Sequence, residues 1–206
     1  MSPNLFHYTH IVFDLDNTVY TETDYLFESY RKIAQFAEKK YAVKRDDVLN
    51  FLKTTFIQSG RLQLFDKVLK TFDIPPSAIT DFLDIMRTTE VAQLIEPLPE
   101  VMDLMTKLRN QGINLYIITN GNPIQQKNKV KHINWHGMVD NIIFIYANEY
   151  MPKPDPTSFQ QTKIQNHDLC KTLMIGDSES DFLFAKNVGI DFLNINQLIN
   201  ETHSNK

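Results

Sequence analysis

Hydrophobic and polar positions along the chain fall into two regimes. The first apolar run, Ile11-Val12-Phe13, is continuous rather than alternating. That is the pattern of a strand buried on both faces, as in a parallel sheet covered by helices. After Tyr20 the period becomes that of amphipathic helices. Thr23 or Asp24 is placed to cap a helix carrying Leu26, Tyr30, Ile33, Ala37 and Tyr41 on one stripe. A second helix is predicted from Arg45-Asp46-Asp47, with Val48, Leu52 and Phe56 inward and a break at Gly60. A third places Leu62, Phe65, Leu69 and Phe72 at helical spacing and stops by Pro75-Pro76-Ser77. A fourth carries Ile79, Phe82, Leu83 and Met86. Such a succession, with short joints and no strand between, predicts a small antiparallel helical bundle.

From Pro97 the order becomes helix, strand, helix, strand. Pro99 sits at a helix start, with Val101, Leu104, Met105 and Leu108 as its buried stripe and Gly112 at its end. Strands are predicted at Ile113 to Ile118, Ile142 to Tyr146, Thr172 to Ile175 and Ile190 to Ile195. Asn122-Pro123 caps an intervening helix, another helix follows Pro156, and a third runs to about Val188; the polar tail from Asn200 to Lys206 reads as frayed. Alternation of this kind implies an α/β fold with a parallel, Rossmann-like sheet in a three-layer α/β/α core. The core is expected from residues 1–20 and 95–206, and residues 21–94 form an inserted helical bundle.

Composition narrows the function classes. The 206 residues are 42% hydrophobic and 22% charged, which suits a globular protein with a sizeable core. A net charge of −4 points to neither nucleic acid polymers nor an anionic membrane as partner, and the pattern is silent on oligomeric state. The single cysteine, Cys170, forms no intramolecular disulfide and reads as a small apolar filler. The N-terminus lacks the pattern of a signal peptide, and no run approaches the roughly 18 apolar residues of a membrane span. The expected location is cytoplasmic.

Candidate chemistry gathers at four strand ends. The first strand stops at Asp14 and Asp16, two carboxylates that repel one another and so want a cation between them. The second empties into Thr119-Asn120-Gly121, the third leads to Lys153 between Pro152 and Pro154, and the fourth ends at Gly176-Asp177-Ser178-Glu179-Ser180-Asp181. Each alone is an ordinary surface pair, turn, lysine or helix cap. Their joint occurrence where parallel strands terminate, the place such sheets bind ligands, is what distinguishes them.

This set of motifs resembles the haloacid-dehalogenase-like (HAD) hydrolase superfamily, in its helical-cap phosphatase branch, over the whole α/β part of the chain. The resemblance implies phosphomonoester hydrolysis through an aspartyl-phosphate, with Mg2+ as cofactor. Asp14 would then be the nucleophile and a metal ligand. Asp16 would be the general acid and base, with its backbone carbonyl on the metal. Asp177 would complete the ligand set, and Asp181 would hold the metal's waters or Lys153. Thr119 and the N–H groups of Asn120 and Gly121 would bind phosphate, helped by the helix starting at Pro123, while Lys153 neutralises charge. The chemistry is consistent, because an anion attacking a phosphate dianion needs divalent charge cancellation by oxygen ligands.

Asp16 argues against halide displacement, which has no leaving oxygen to protonate. The stretch between Asp14 and Thr119 is far longer than that between Thr119 and Lys153, so the insertion follows the first motif. By resemblance it closes over a small phosphorylated metabolite. Asp14-Leu-Asp-Asn-Thr-Val-Tyr20 is similar to the pyrimidine 5′-nucleotidase-like branch and suggests a nucleoside monophosphate. The alternatives are a sugar or cofactor phosphate, a phosphosugar mutase, or a non-catalytic binding protein. The basic run Lys127, Lys129, Lys131, His132 reads as a solvated helix face. Trp135 and His136 read as a turn, and Tyr20, Glu22 and Tyr25, where the core hands over to the insertion, carry no assigned role.

Overall fold

The computed structural model describes residues 5–204, with side chains described as far as residue 200. Strand β1 (His10–Phe13) is followed by α1 (Glu22–Tyr41), α2 (Arg45–Ser59), α3 (Leu64–Thr71) and α4 (Ala78–Thr88). Then come α5 (Pro99–Asn110), β2 (Asn114–Thr119), α6 (Pro123–His132), β3 (Ile142–Tyr146), β4 (Thr172–Gly176), α7 (Glu179–Val188), β5 (Asp191–Asn194) and α8 (Ile195–Ser204). The chain divides into two compact units, one of residues 1–22 and 94–206, the other of residues 23–93.

In the first unit five strands form one all-parallel sheet in the order β3-β2-β1-β4-β5. The central β1 pairs Phe13 with Ile117 on one side and Ile175 on the other. Ile11, Val12 and Phe13 are wholly buried, as a strand covered on both faces requires. The ladder runs one residue beyond the strand, since the Asp14 N–H donates to Ile175 O at 2.9 Å. The apolar drive of the strand therefore delivers the carboxylate of Asp14 to the sheet's C-terminal edge.

Several local expectations needed correction. The segment after Pro156 is a 3-10 helix (Pro156–Thr162), and a second one (Asn166–Lys171) precedes β4. Residues 200–204, expected to fray, continue α8, which Asn194 starts by accepting from the Asn196 N–H and Ile195 anchors by burial; residues 205–206 lie outside the described part. Cys170 is exposed rather than packed.

The second unit closes its own core with Leu26, Tyr30, Ile33, Ala37, Val48, Leu52, Leu64, Val68, Phe82 and Met86. Leu62 is 77% exposed and outside α3. Gln63 takes a left-handed conformation (φ 54°), which starts the helix anew and turns Leu64, Val68 and Leu69 inward instead. Tyr25 is fully buried and its hydroxyl donates to Met86 O at 2.8 Å, so it serves this unit's packing. Among the described residues no helix is long and apolar enough to cross a membrane.

Candidate active site

The C-terminal ends of β1, β2 and β4 meet the segment after β3, and Lys153 is the centre of what they assemble. Its ammonium donates to Asp14 Oδ1 at 2.6 Å, Asp181 Oδ1 at 2.6 Å and Ile118 O at 2.8 Å, which uses all three protons. Its side chain is only 2% exposed. The Asn120 side chain holds the Lys153 backbone on both sides, accepting from its N–H at 2.8 Å and donating to its carbonyl at 2.9 Å. The second motif thereby positions the lysine of the third.

Asp181 lies at the start of α7 in a capping box. Ser178 Oγ accepts from the Asp181 N–H, and Asp181 Oδ2 accepts from the Ser178 N–H at 3.1 Å and hydroxyl at 2.7 Å. This carboxylate presses against Gly176, where a β-carbon would fall 2.6 Å from Asp181 Cβ, Cγ and Oδ2. Glycine is needed at that point for space alone.

Asp14, Asp177 and Asp181 offer carboxylate oxygens all within 4.8 Å of one another. Burial raises Asp14 above the usual carboxylate range, to about 7; Lys153 opposes the rise, and Asp181 and Asp16 add to it. Asp177 is raised too, by burial and then by Asp181. Burial pulls Lys153 down, but Asp14 and Asp181 outweigh it and leave it raised. Burial leads both carboxylate shifts and the neighbouring carboxylates add to them, while three carboxylates share the one ammonium of Lys153. A hard, oxygen-only set with unbalanced anions fits Mg2+.

Asp16 points elsewhere. Its Oδ1 accepts from the Tyr20 hydroxyl at 2.6 Å and Lys129 Nζ at 2.8 Å; its Oδ2 accepts from Lys129 Nζ at 2.7 Å and Gln126 Nε2 at 2.9 Å. Burial would raise it, but Lys129, then Tyr20 and Gln126, hold it below the usual range. Lys129 is the largest correction to the sequence reading. Far from facing solvent, its side chain is 2% exposed and also donates to Glu22 Oε1 at 2.8 Å. His132, on the same helix, is buried too. Gln126 and Lys129 are three apart on α6 and so share a face, a spacing that was visible beforehand, although their partners were not.

The phosphate-loop candidates sit together at the end of β2. Thr119 is buried and its hydroxyl accepts from Gln126 Nε2 at 2.6 Å. The Gly121 N–H donates to Asn148 Oδ1 at 2.8 Å, and the first N–H groups of α6 go to Asn122 Oδ1. Asn148, unnoticed in the sequence, thus occupies a donor that the motif assigns to phosphate. Asn17 takes a left-handed conformation (φ 56°) that asparagine tolerates, and its side chain accepts from the Glu22 N–H at the start of α1. The Asn17 and Tyr20 wording that resembled a nucleotidase has a local explanation in this turn. Trp135 is buried edge-on against Phe144 and donates its indole N–H to Val130 O, which accounts for it without a ligand.

A central parallel strand that delivers a carboxylate into an acidic cluster, balanced by a buried lysine, defines an enzyme built to handle phosphoryl groups through oxygen ligands. The chain belongs to the haloacid dehalogenase-like hydrolases, whose family model matches residues 11–195, and it is a phosphatase of that family. It is 30% identical over 190 residues to the glyceraldehyde 3-phosphate phosphatase of Pyrococcus abyssi, an alignment covering 87% of this chain and 78% of that one. It is 32% identical over 96 residues to the phosphoglycolate phosphatase of Neisseria gonorrhoeae, covering 45% and 39%. Among solved structures, the HAD-hydrolase YfnB of Bacillus subtilis bound to magnesium shares the fold, with a TM-score of 0.58 at 18% identity, over 90% of this chain and 87% of that one.

Proposed function

We propose that the protein hydrolyses a small phosphorylated hydroxy carboxylic acid or aldehyde, of the glyceraldehyde 3-phosphate or phosphoglycolate kind, with Asp14 as nucleophile. The observation that carries the mechanism is Asp14 at the end of the central strand, in the acidic cluster and in contact with Lys153. The relatives named above act on such small esters and favour that substrate class over a nucleoside monophosphate.

Asp14, Asp177 and the Asp16 carbonyl would hold Mg2+, and Asp181 would support them by fixing Lys153. When bound, the ion would cancel part of the negative charge that opposes attack on a phosphate dianion. Asp14 attacks phosphorus and expels the alcohol, leaving an aspartyl-phosphate that water then hydrolyses. Lys153 stays against the transferring group and neutralises it. Thr119, Asn120 and Gly121 receive the phosphate, which displaces Asn148 from the Gly121 N–H. Asp16 takes a proton from solvent, against the pull of Lys129, before the first step and passes it to the leaving oxygen; it then takes one from the water that attacks the aspartyl-phosphate.

Phosphate release from glyceraldehyde 3-phosphate, phosphoglycolate and nucleoside monophosphates, with Mg2+ and with EDTA, tests the reading. Metal-dependent turnover is expected on the first two, and Asp14→Asn is expected to abolish it with the fold intact. Preferred turnover of nucleotides would overturn the substrate class, and an active Asp14→Asn enzyme would overturn the nucleophile.

A further inference from the structure

Two buried lysines serve this site, and the reaction as written uses only one. Lys153 divides its ammonium between Asp14 and Asp181; Lys129 divides its own between Asp16 and Glu22. Lys129 lies in the second turn of α6, after the phosphate loop, in a stretch otherwise suited to solvent. A buried lysine loses hydration and side-chain freedom, and it persists there only with partners that offset the loss. Here they are the carboxylate of Asp16 and the first residue of α1.

Both carboxylate oxygens of Asp16 are hydrogen-bonded. Lys129 reaches both of its oxygens, Tyr20 fixes one, and Gln126 fixes the other. Gln126 Nε2 also lies 2.6 Å from Thr119 Oγ1. The amide therefore spans the gap between the proton-transfer carboxylate and the phosphate-loop hydroxyl. The Asp16 side chain is 20% exposed and its loop bends through the left-handed Asn17, so Lys129, Tyr20 and Gln126 are what hold its carboxylate in place.

We propose that Lys129 is a positioning residue for the proton-transfer step: anchored by Glu22, it holds the Asp16 carboxylate beside Thr119, where the leaving oxygen departs. Gln126 completes the placement by spacing Asp16 from Thr119. The inference rests on the phosphatase reading and on Asp16 as the group that protonates the leaving oxygen. General acid catalysis is worth about 10²–10⁴-fold, and displacement by an ångström forfeits a large part of such a gain. The loss from freeing Asp16 falls on esters whose alcohol needs a proton in order to leave, and spares those whose leaving group departs as an anion.

The test is kcat/KM, which reports the steps through departure of the alcohol, on aryl phosphates graded from the nitrophenyl to the unsubstituted phenyl ester. Lys129→Met alone leaves Asp16 and Glu22 facing one another, so the charge-balanced Glu22→Gln/Lys129→Met double variant is compared with Glu22→Gln, after matched circular dichroism spectra. If that double variant does not fold, Gln126→Met, which keeps Lys129 and its ion pairs, is read in the same series. The expected outcome is a loss of about 10- to 100-fold on the phenyl ester against less than about 3-fold on the nitrophenyl ester. A uniform loss, no loss or a gain overturns the proposal. Asp16→Asn in the same series separates the two levels. If it is selective and the Lys129 variant is not, only the positioning role falls; if it is not selective, the role of Asp16 falls and takes the inference with it.

Discussion

Gly176→Ala is the substitution whose cost follows most directly from the geometry. The new methyl would lie 2.6 Å from three atoms of Asp181, whereas ordinary contact begins at 3.4 Å. Strand β4 is held on both sides by β1 and β5, so the side chain of Asp181 must yield, by about 0.8 Å. Its Oδ2 hydrogen bonds to Ser178, at 2.7 and 3.1 Å, and its 2.6 Å bond to Lys153 then lengthen toward or past the limit of useful geometry. Overpacking costs about 1–3 kcal/mol, and weakening a charge-assisted bond costs of the same order. A net loss near 3 kcal/mol is expected, or a fall in Tm of about 6–12 °C for a chain of this size. Thermal unfolding followed by circular dichroism, without metal, gives the stability; a Mg2+ titration of phosphatase activity gives the effect on the cluster. A variant that melts within about 2 °C of the parent and keeps its Mg2+ dependence would show that Asp181 is not confined as described.

Two further outcomes are expected. Asp14 is raised to about 7, so the metal-free folded protein keeps a proton there that the unfolded chain releases near the ordinary carboxylate value. That contribution to stability is complete at acid pH and is lost as pH rises through 7, and Mg2+ competes with the same proton. Added Mg2+ should therefore raise Tm more at about pH 8 than at about pH 6, and equal shifts at both would contradict the direction given for Asp14. Lys153→Met leaves Asp14 and Asp181 buried together without their cation, a loss of about 3–5 kcal/mol in urea unfolding. It should also reduce kcat by about 10²–10³-fold; an unimpaired enzyme would remove Lys153 from the charge-neutralising role.

The parts of the fold that could be read from sequence were those where burial leaves a one-dimensional trace. Ile11 to Phe13 and Thr172 to Ile175 are continuous apolar runs because both faces of their strands are covered, and each ends where its carboxylates begin. The start of α6 was legible too, since Asn122 before Pro123 caps with its own side chain, whereas Thr23 and Asp24, read as caps, lie inside α1. What could not be read was decided by partners distant in the chain. Lys129 sits among polar residues in a pattern identical to that of a solvated lysine, and only the approach of Asp16 and Glu22 buries it. Asn148 is likewise a loop residue without any local mark; its importance lies in meeting Gly121. Leu62 failed for the opposite reason, because helical spacing was carried across a left-handed residue that ends it.

The central position of β1 has a consequence for how the protein comes into being. This strand is made before both of its hydrogen-bonded partners, one of which begins at Asn114 and the other at Thr172. The helices of residues 23–93, by contrast, draw their core from positions 26–86 and need nothing that follows. On a ribosome adding about 5–20 residues per second, the helical unit is able to condense first, while Ile11-Val-Phe waits unpaired for strands made seconds later. Asp14 emerges before the strand ends that surround it and is among the last residues to find its surroundings. A nascent chain halted before β4 would leave one edge of β1 unpaired and would lack Asp177 and Asp181 of the acidic cluster, which makes it prone to aggregate.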